Sequence, residues 1–278
     1  MKNNDDCMVL IKKGIKPALF CIHSVSGSST IYRHMKSPIM NSLYGLNAIG
    51  VHFDVQPEDT IVEMANTYLQ QIRRIQPLGP YHICGFSMGG LIAYEIACQL
   101  QSHGEAVSLL GLIDVQVTIA RKNDAEELLS GYDGWITFIN ILFGNVDQRF
   151  YNLDCSFWKY NRQKKLDCLL KLKLEKHDNR HPKTIDAEWL DKCYTFYCAM
   201  NKANIDYELG EFGSDLIYFA TSDGSHIQSV KNIRTRVTGN VKVINIEGSH
   251  LNLFSDETHA TTLGSLIAKE LNCQKATR

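Results

Sequence analysis

One short segment constrains the fold of this chain more than any other. Residues 85–89, Gly-Phe-Ser-Met-Gly, have the pattern G-x-S-x-G. An apolar run from Tyr81 to Phe86 precedes the serine, and a strongly helix-like segment follows it. In this context the pattern predicts a strained strand-to-helix turn that lifts the serine hydroxyl above a sheet, with glycines where neighbouring backbone must pass closely. We therefore predict that Ser87 is a nucleophile.

Other apolar runs that end in turn-prone residues predict the rest of a sheet. These predicted strands are Ala18 to Ile22, Gly45 to Gly50, Leu109 to Ile113, Asp215 to Thr221 and Val241 to Glu247. Apolar residues at helical spacing predict helices over Thr60 to Ile75, from Ser87 to about Gly104, and over Thr261 to Leu271. Strands that alternate with helices indicate an α/β fold with a mostly parallel central sheet flanked by helices.

The alternation stops between about residues 115 and 210, where aromatic and charged helix-like pieces such as Trp135 to Phe143 and Gln163 to Lys176 occur. We interpret this region as a helical insertion, a predicted lid. The chain of 278 residues is then one domain, 1–278, with its core at about 15–114 and 211–273. Within the insertion, Lys159 to Lys183 carries nine Lys or Arg residues. We interpret this basic segment as a solvated helix surface that covers buried leucines, in preference to a docking face for an acidic carrier protein.

Composition restricts the partners and the compartment. The formal net charge of −1 favours neither nucleic acid nor an anionic membrane. The N-terminus has no signal-peptide pattern, and no apolar run approaches the ~20 residues that span a bilayer. Nine cysteines form an odd set without a CxxC pair, which fits a reducing cytoplasm. Because HExxH, a phosphate-binding glycine loop and a Cys/His cluster are all missing from the sequence, we expect neither a metal nor a cofactor bound by this chain.

A serine nucleophile requires a base and an acid, and the late part of the chain offers the base. His250 follows an apolar run and the breaker Gly248-Ser249, which is the usual place for the histidine in this chain order. Two aspartates compete as the acid that orients the imidazole. Asp223 ends the strand after the insertion, whereas Asp114 ends the strand directly after the nucleophile helix. We prefer Asp114, because a buried strand would place its carboxylate beside the nucleophile.

The tetrahedral intermediate of acyl transfer also needs backbone N–H donors. One normally comes from the residue after the serine and one from a loop after an early strand. Met88 and Val25 fit these two places.

Several blocks of the sequence resemble the thioesterase domains that end non-ribosomal peptide synthetases, polyketide synthases and animal fatty-acid synthases. The blocks are residues 18–27 (ALFCIHSVSG), 75–81 (IQPLGPY) leading into 85–90 (GFSMGG), 112–114 (LID) and 246–250 (IEGSH). The resemblance implies an α/β-hydrolase fold, with Ser87, Asp114 and His250 as a triad and the amides of Val25 and Met88 as oxyanion donors. The early loop departs from the family pattern, which often has His-Pro and a Gly-Gly pair where this chain has His23-Ser24 and Ser26-Gly27.

The resemblance also implies the substrate and the partner. Such enzymes take an acyl, polyketide or peptidyl chain from the phosphopantetheine arm of an acyl or peptidyl carrier protein, which can belong to the same synthase. They release the chain by hydrolysis or by macrocyclisation through a serine-linked acyl-enzyme.

Three alternatives remain open from the sequence. A stand-alone editing thioesterase would clear wrongly loaded carrier proteins, although such enzymes more often read G-H-S-M-G-A at the elbow and use an acid at the position of Asp223. A carboxylesterase acting on free esters would share every triad residue. A silent hydrolase-fold binding module would usually lack a triad member, and all three are present here.

Overall fold

The computed structural model describes residues 7–52, 55–117, 132–143, 155–174, 186–222, 224 and 226–276. The chain divides into two compact units. The first consists of Met1–Lys122 and Met200–Arg278, and the second is Asn123–Ala199. Among the described residues, no helix is both long enough and apolar enough to cross a membrane.

A seven-stranded sheet forms the centre of the first unit. Its strands are β1 (Met8–Lys12), β2 (Ile15–Ile22), β3 (Asn41–Leu46), β4 (Tyr81–Phe86), β5 (Val107–Ile113), β6 (Leu216–Thr221) and β7 (Val241–Ile246). They lie in the order β1-β3-β2-β4-β5-β6-β7. β1 pairs antiparallel with β3, and every other neighbouring pair is parallel. The predicted fold class, a mostly parallel sheet flanked by helices, is confirmed.

One 3-10 helix and eight α-helices are seen among the described residues. The 3-10 helix is Thr30–Lys36. The α-helices are α1 (Ile61–Ile75), α2 (Met88–Ser102), α3 (Tyr132–Phe143), α4 (Cys155–Lys159), α5 (Arg162–Leu174), α6 (Ala187–Asp206), α7 (Ile227–Arg234) and α8 (Glu257–Ala276). Helices α3 to α5 and most of α6 belong to the second unit.

The central strands are mostly apolar, and both faces of the sheet are covered. Every residue of β4 and β6 is buried, as expected for parallel strands with helices on both sides. On one face, the 3-10 helix and α8 pack into the same core as β2, β4 and β5, through residues such as Tyr32, Met35 and Leu263. This burial makes the carboxyl ends of the strands a rigid platform for side chains at the edge of the sheet.

Local signals explain where the predicted helices begin and end. The Thr60 hydroxyl caps α1 by accepting a hydrogen bond from the backbone N–H of Glu63 at 3.1 Å. α2 is followed by Gly104, whose φ of +72° lies in the left-handed region. α8 begins at Glu257, before the predicted start at Thr261.

Three features of the sheet unit differ from the sequence-based expectation. β3 spans Asn41–Leu46, so the strand predicted at Gly45 to Gly50 was placed too late. The chain turns directly after β3, where the Asn47 carboxamide oxygen accepts hydrogen bonds from both the backbone N–H and the hydroxyl of Ser29, each at 2.8 Å. The short edge strand β1 and the helix α7 were not predicted.

The described part of the second unit has an aromatic core. Trp135 of α3 stacks on Tyr194 of α6 with ring centroids 4.1 Å apart, and Phe138 meets the same tyrosine edge-on at 5.0 Å. In α5, Leu166 and Leu169 are fully buried, whereas Lys164 and Lys171 are exposed. Lys165 does not fit the interpretation of a solvated surface. It is buried, and its ammonium lies 5.0 Å from the centroid of the Trp135 ring.

Candidate active site

Ser87 occupies a strained turn between β4 and α2. Its backbone has φ 55° and ψ −128°, a conformation that side-chain-bearing residues rarely adopt and that costs about 1–3 kcal/mol. Two backbone hydrogen bonds hold the turn in place. The Ser87 N–H donates to the carbonyl of Ile113 at 3.0 Å, and the Gly90 N–H donates to the carbonyl of Ser87 at 2.9 Å. The turn is therefore fixed against the end of β5.

The two glycines of the G-x-S-x-G pattern allow backbone segments to pass closely here. A Cβ at Gly85 would collide with the carbonyl of Gly89, and a Cβ at Gly89 would collide with the carbonyl of His23. The first turn of α2 consequently lies directly on the end of β2. This places Ser87 next to the loop that follows β2.

Asp114 and His250 are in direct contact. Asp114 follows β5 with φ 46°, and its side chain is 1% exposed. Its Oδ2 lies 2.6 Å from Nδ1 of His250. An ionised carboxylate can only accept a hydrogen bond, so in such a pair Nδ1–H is the donor and Nε2 is the ring nitrogen that faces away from Asp114. The His250 side chain is 27% exposed, which leaves the ring accessible to a reacting group.

A third side chain, Thr221 at the end of β6, completes the hydrogen bonding of this carboxylate. Its hydroxyl donates to Oδ1 of Asp114 at 2.7 Å, and both residues are buried. Each carboxylate oxygen thus has its own donor. Sequence reasoning missed Thr221, because it is an ordinary β-branched strand residue that matches no motif.

The loop that carries His250 is held by the neighbouring strand and by itself. Gly248, with φ 107°, accepts a hydrogen bond at its carbonyl from the Ser222 hydroxyl at 3.0 Å. The Ser249 N–H donates to the Asn252 side chain at 2.7 Å, and Leu253 N–H donates to the Ser249 carbonyl at 3.0 Å. These bonds fix the backbone on both sides of the histidine.

An aromatic cluster lies behind the turn and the histidine. The Phe86 ring is 4.7 Å from the His250 ring, centroid to centroid, and 5.0 Å from that of Phe254. The buried Tyr32 packs edge-on against Phe254 at 5.2 Å. Its hydroxyl donates to the carbonyl of Ile22 at 2.6 Å and accepts from the N–H of Phe86 at 2.9 Å. One tyrosine therefore ties the ends of β2 and β4 together.

The two predicted oxyanion donors lie at this same junction. Met88 is the first residue of α2, where backbone N–H groups have no acceptor within the helix. Val25 lies in a turn that is closed by a hydrogen bond from Gly27 N–H to the Ser24 carbonyl at 2.9 Å. The close approach of α2 to the end of β2 brings the two segments together.

The residue before this loop, His23, is a buried structural histidine. Its Nδ1–H donates to the Ser24 carbonyl, and its Nε2 accepts from the Tyr68 hydroxyl, both at 2.7 Å. Burial lowers the pKa of His23 to about 4. The ring is consequently neutral at physiological pH, and it anchors the loop to α1.

A family model described as "Thioesterase domain" matches residues 17–270. The chain belongs to this family. The match runs from within β2 to within α8 and therefore includes Ser87, Asp114 and His250.

Relatives of this thioesterase domain are large synthases. One stretch of 141 residues is 38% identical to part of the Dimodular nonribosomal peptide synthase of Bacillus subtilis (strain 168), covering 46% of this chain and 6% of that protein. Another of 131 residues is 35% identical to Polyketide synthase PksR of the same organism, covering 47% and 5%. A third of 112 residues is 39% identical to Malpinin synthetase of Mortierella alpina, covering 39% and 1%. The thioesterase domain thus spans only a small part of the length of these relatives.

Solved structures share the fold of the thioesterase domain. A four-domain nonribosomal peptide synthetase, holo-AB3403, matches 95% of this chain over 20% of its own, with TM-score 0.75 and 21% identity. The Vlm2 thioesterase domain with a bound dodecadepsipeptide matches 96% of this chain over 98% of its own, with TM-score 0.67 and 16% identity. The NocB thioesterase domain, in covalent complex with a fluorophosphonate nocardicin G analog, matches 95% over 99%, with TM-score 0.61 and 19% identity.

The structure thus joins two of the predicted site residues directly, Asp114 and His250. Ser87 follows Phe86, whose ring contacts the ring of His250, and precedes Met88, the first residue of α2. The competing acid, Asp223, lies outside the described residues. The catalytic roles of all these residues remain predictions.

Proposed function

We propose that this thioesterase domain releases an acyl, polyketide or peptidyl chain from the phosphopantetheine arm of a carrier protein, through an acyl-enzyme on Ser87. The observation that carries the proposal is the 2.6 Å hydrogen bond between His250 and the buried Asp114, beside the strained turn at Ser87. The synthase names of the relatives support a carrier-bound substrate. The carrier protein is the proposed partner.

In the first half-reaction, the Ser87 hydroxyl attacks the thioester carbonyl while Nε2 of His250 takes its proton. The imidazolium that forms is stabilised by the carboxylate of Asp114, which accepts from Nδ1–H. The tetrahedral intermediate then collapses, the C–S bond breaks, and the His250 proton goes to the departing pantetheine sulfur. The chain is left as an ester on Ser87.

The negative oxygen of the tetrahedral intermediate needs donors that are already in place. The backbone N–H groups of Met88 and Val25 are proposed for this task. The first turn of α2 supports Met88 in this role, because its partial positive charge also favours an anion.

In the second half-reaction, water or a hydroxyl or amine of the bound chain attacks the Ser87 ester. His250 takes the proton of the incoming nucleophile and returns it to the Ser87 oxygen, so the enzyme is regenerated. Water gives a free acid, and an internal nucleophile gives a ring. Every step uses these side chains and the pantetheine arm of the substrate, so we propose that the chain binds no cofactor of its own.

The nucleophile can be tested by intact mass spectrometry after treatment with a fluorophosphonate. We expect a single adduct on the wild type and none on Ser87→Ala, because only an activated serine reacts with this reagent. An equal adduct on both proteins would place the reactive group elsewhere. No adduct on either would favour the silent binding module.

The substrate class needs a separate comparison. The same acyl group should be offered on the phosphopantetheine of a carrier protein, on free pantetheine and as a simple ester, with Ser87→Ala as the blank. We expect the highest kcat/KM for the carrier-bound thioester. Faster turnover of the simple ester would indicate a carboxylesterase.

A further inference from the structure

The end of β6 reaches both the acid and the loop of the base. Thr221 is its last residue, and its hydroxyl donates to Oδ1 of Asp114 at 2.7 Å. The next residue, Ser222, donates its hydroxyl to the carbonyl of Gly248, two residues before His250. Neither residue takes part in the proposed chemical steps. Both contacts nevertheless hold groups that those steps need in a fixed orientation, the Asp114 carboxylate and the loop of His250.

We propose that Thr221 is a positioning residue that fixes the rotation of the Asp114 carboxylate, and through it the His250 ring. This inference rests on the proposed function of the site. The terminal torsion of an aspartate is broad and tolerates many angles. With Oδ2 bonded to His250 and Oδ1 bonded to Thr221, the carboxylate plane is held from both sides.

Thr221 is itself well fixed, which a positioning residue must be. It is fully buried, and in the parallel β6–β7 ladder it lies opposite Ile246. A β-branched side chain on a strand has few accessible χ1 rotamers. The hydroxyl is therefore presented to Asp114 by the sheet and not by a mobile loop.

Two substitutions separate the hydroxyl from the shape of the side chain. Thr221→Val keeps the branched shape and removes the donor, whereas Thr221→Ser keeps the donor. We expect kcat to fall about 10-fold or more in Thr221→Val with KM nearly unchanged, because a buried hydrogen bond to a charged group is lost. Thr221→Ser should retain most of the wild-type kcat. Thr235→Val, the same change on an exposed threonine, is the matched control.

A double-mutant cycle excludes a merely structural role. In an Asp114→Ala background, Thr221→Val should cause no further loss of kcat, because its partner is already gone. Additive losses, an unchanged kcat in Thr221→Val, or an equal loss in Thr221→Ser would each overturn the inference.

A measurement that does not need turnover distinguishes this inference from the proposed function. Proton NMR can follow solvent exchange of the His250 Nδ1–H that is bonded to Asp114. We expect this exchange to be at least about 10-fold faster in Thr221→Val, because the carboxylate is no longer held on its Oδ1 side, and unchanged in Thr221→Ser. Equal exchange in all three proteins would refute the positioning role. A wild type that fails to react with the fluorophosphonate but shows this pattern would refute only the proposed function.

Discussion

At the scale of single residues, the choice between Asp114 and Asp223 can be decided by mutation. Asparagine tolerates the left-handed backbone found at Asp114, so Asp114→Asn should leave the fold intact. It should lower kcat by roughly 10³–10⁴-fold, because the amide cannot stabilise the imidazolium that forms on His250. Asp223→Asn is the matched control and should change kcat little. Steady-state kinetics of both variants measure this, and the reverse ranking would make Asp223 the acid.

The residues of the site differ in whether a local sequence pattern reveals them. Ser87 and His250 could be proposed because glycine-containing turns flank them at the ends of apolar runs. Thr221, Tyr32 and Phe86 could not be found in this way. Thr221 is 107 residues from its partner Asp114, and the hydroxyl of Tyr32 bonds backbone groups that any sequence would supply. Such contacts depend on the packing of distant segments, which no local pattern encodes.

At the scale of elements, the buried link between the end of β2 and α1 predicts a pH-dependent stability. The pKa of His23 is lowered by burial from 6.5 to about 4 in the folded protein. An unfolded chain therefore binds the proton at a higher pH than the folded protein does. The contribution of the neutral ring is complete above pH 6.5 and is lost as the pH falls towards 4, to an extent of about 3 kcal/mol.

This loss can be measured by urea unfolding of the wild type and His23→Asn between pH 7 and pH 4. The free energy of unfolding should fall more steeply with acid in the wild type than in the variant, since other titrating groups are common to both. His52→Asn, at an exposed position, serves as the control and should follow the wild type. Parallel curves for the wild type and His23→Asn would contradict the role assigned to burial.

The strands β2, β4, β5, β6 and β7 were predictable from sequence, because each contains an apolar run that ends in turn residues. β1 was missed because its place in the sheet depends on antiparallel pairing with the distant β3 and not on burial, since Val9 and Leu10 are exposed. Helix α7 has only 8 residues, and so short a helix depends on tertiary packing, here of Val230 and Ile233, more than on a local sequence signal.

At the scale of the whole molecule, the burial of cysteines in the sheet predicts which thiols can react while the protein is folded. Cys21 of β2 and Cys84 of β4 are register partners in the sheet interior, and both are fully buried. Burial raises the pKa of both thiols, that of Cys84 to about 12. They are therefore protonated and inaccessible while the sheet is intact, in contrast to the exposed Cys273 of α8.

Treatment with iodoacetamide at pH 7.5, followed by peptide mapping, should consequently label Cys273 early and leave Cys21 and Cys84 unlabelled until denaturant opens the sheet. Thioesterase turnover should survive the early labelling, because the proposed chemistry uses Ser87 and no thiol. Cys273→Ser is the control that removes the early adduct without changing activity. If Cys84 reacted as fast as Cys273, the central sheet would be open in solution. If turnover were lost as the first thiol reacted, the serine mechanism would be wrong for this chain.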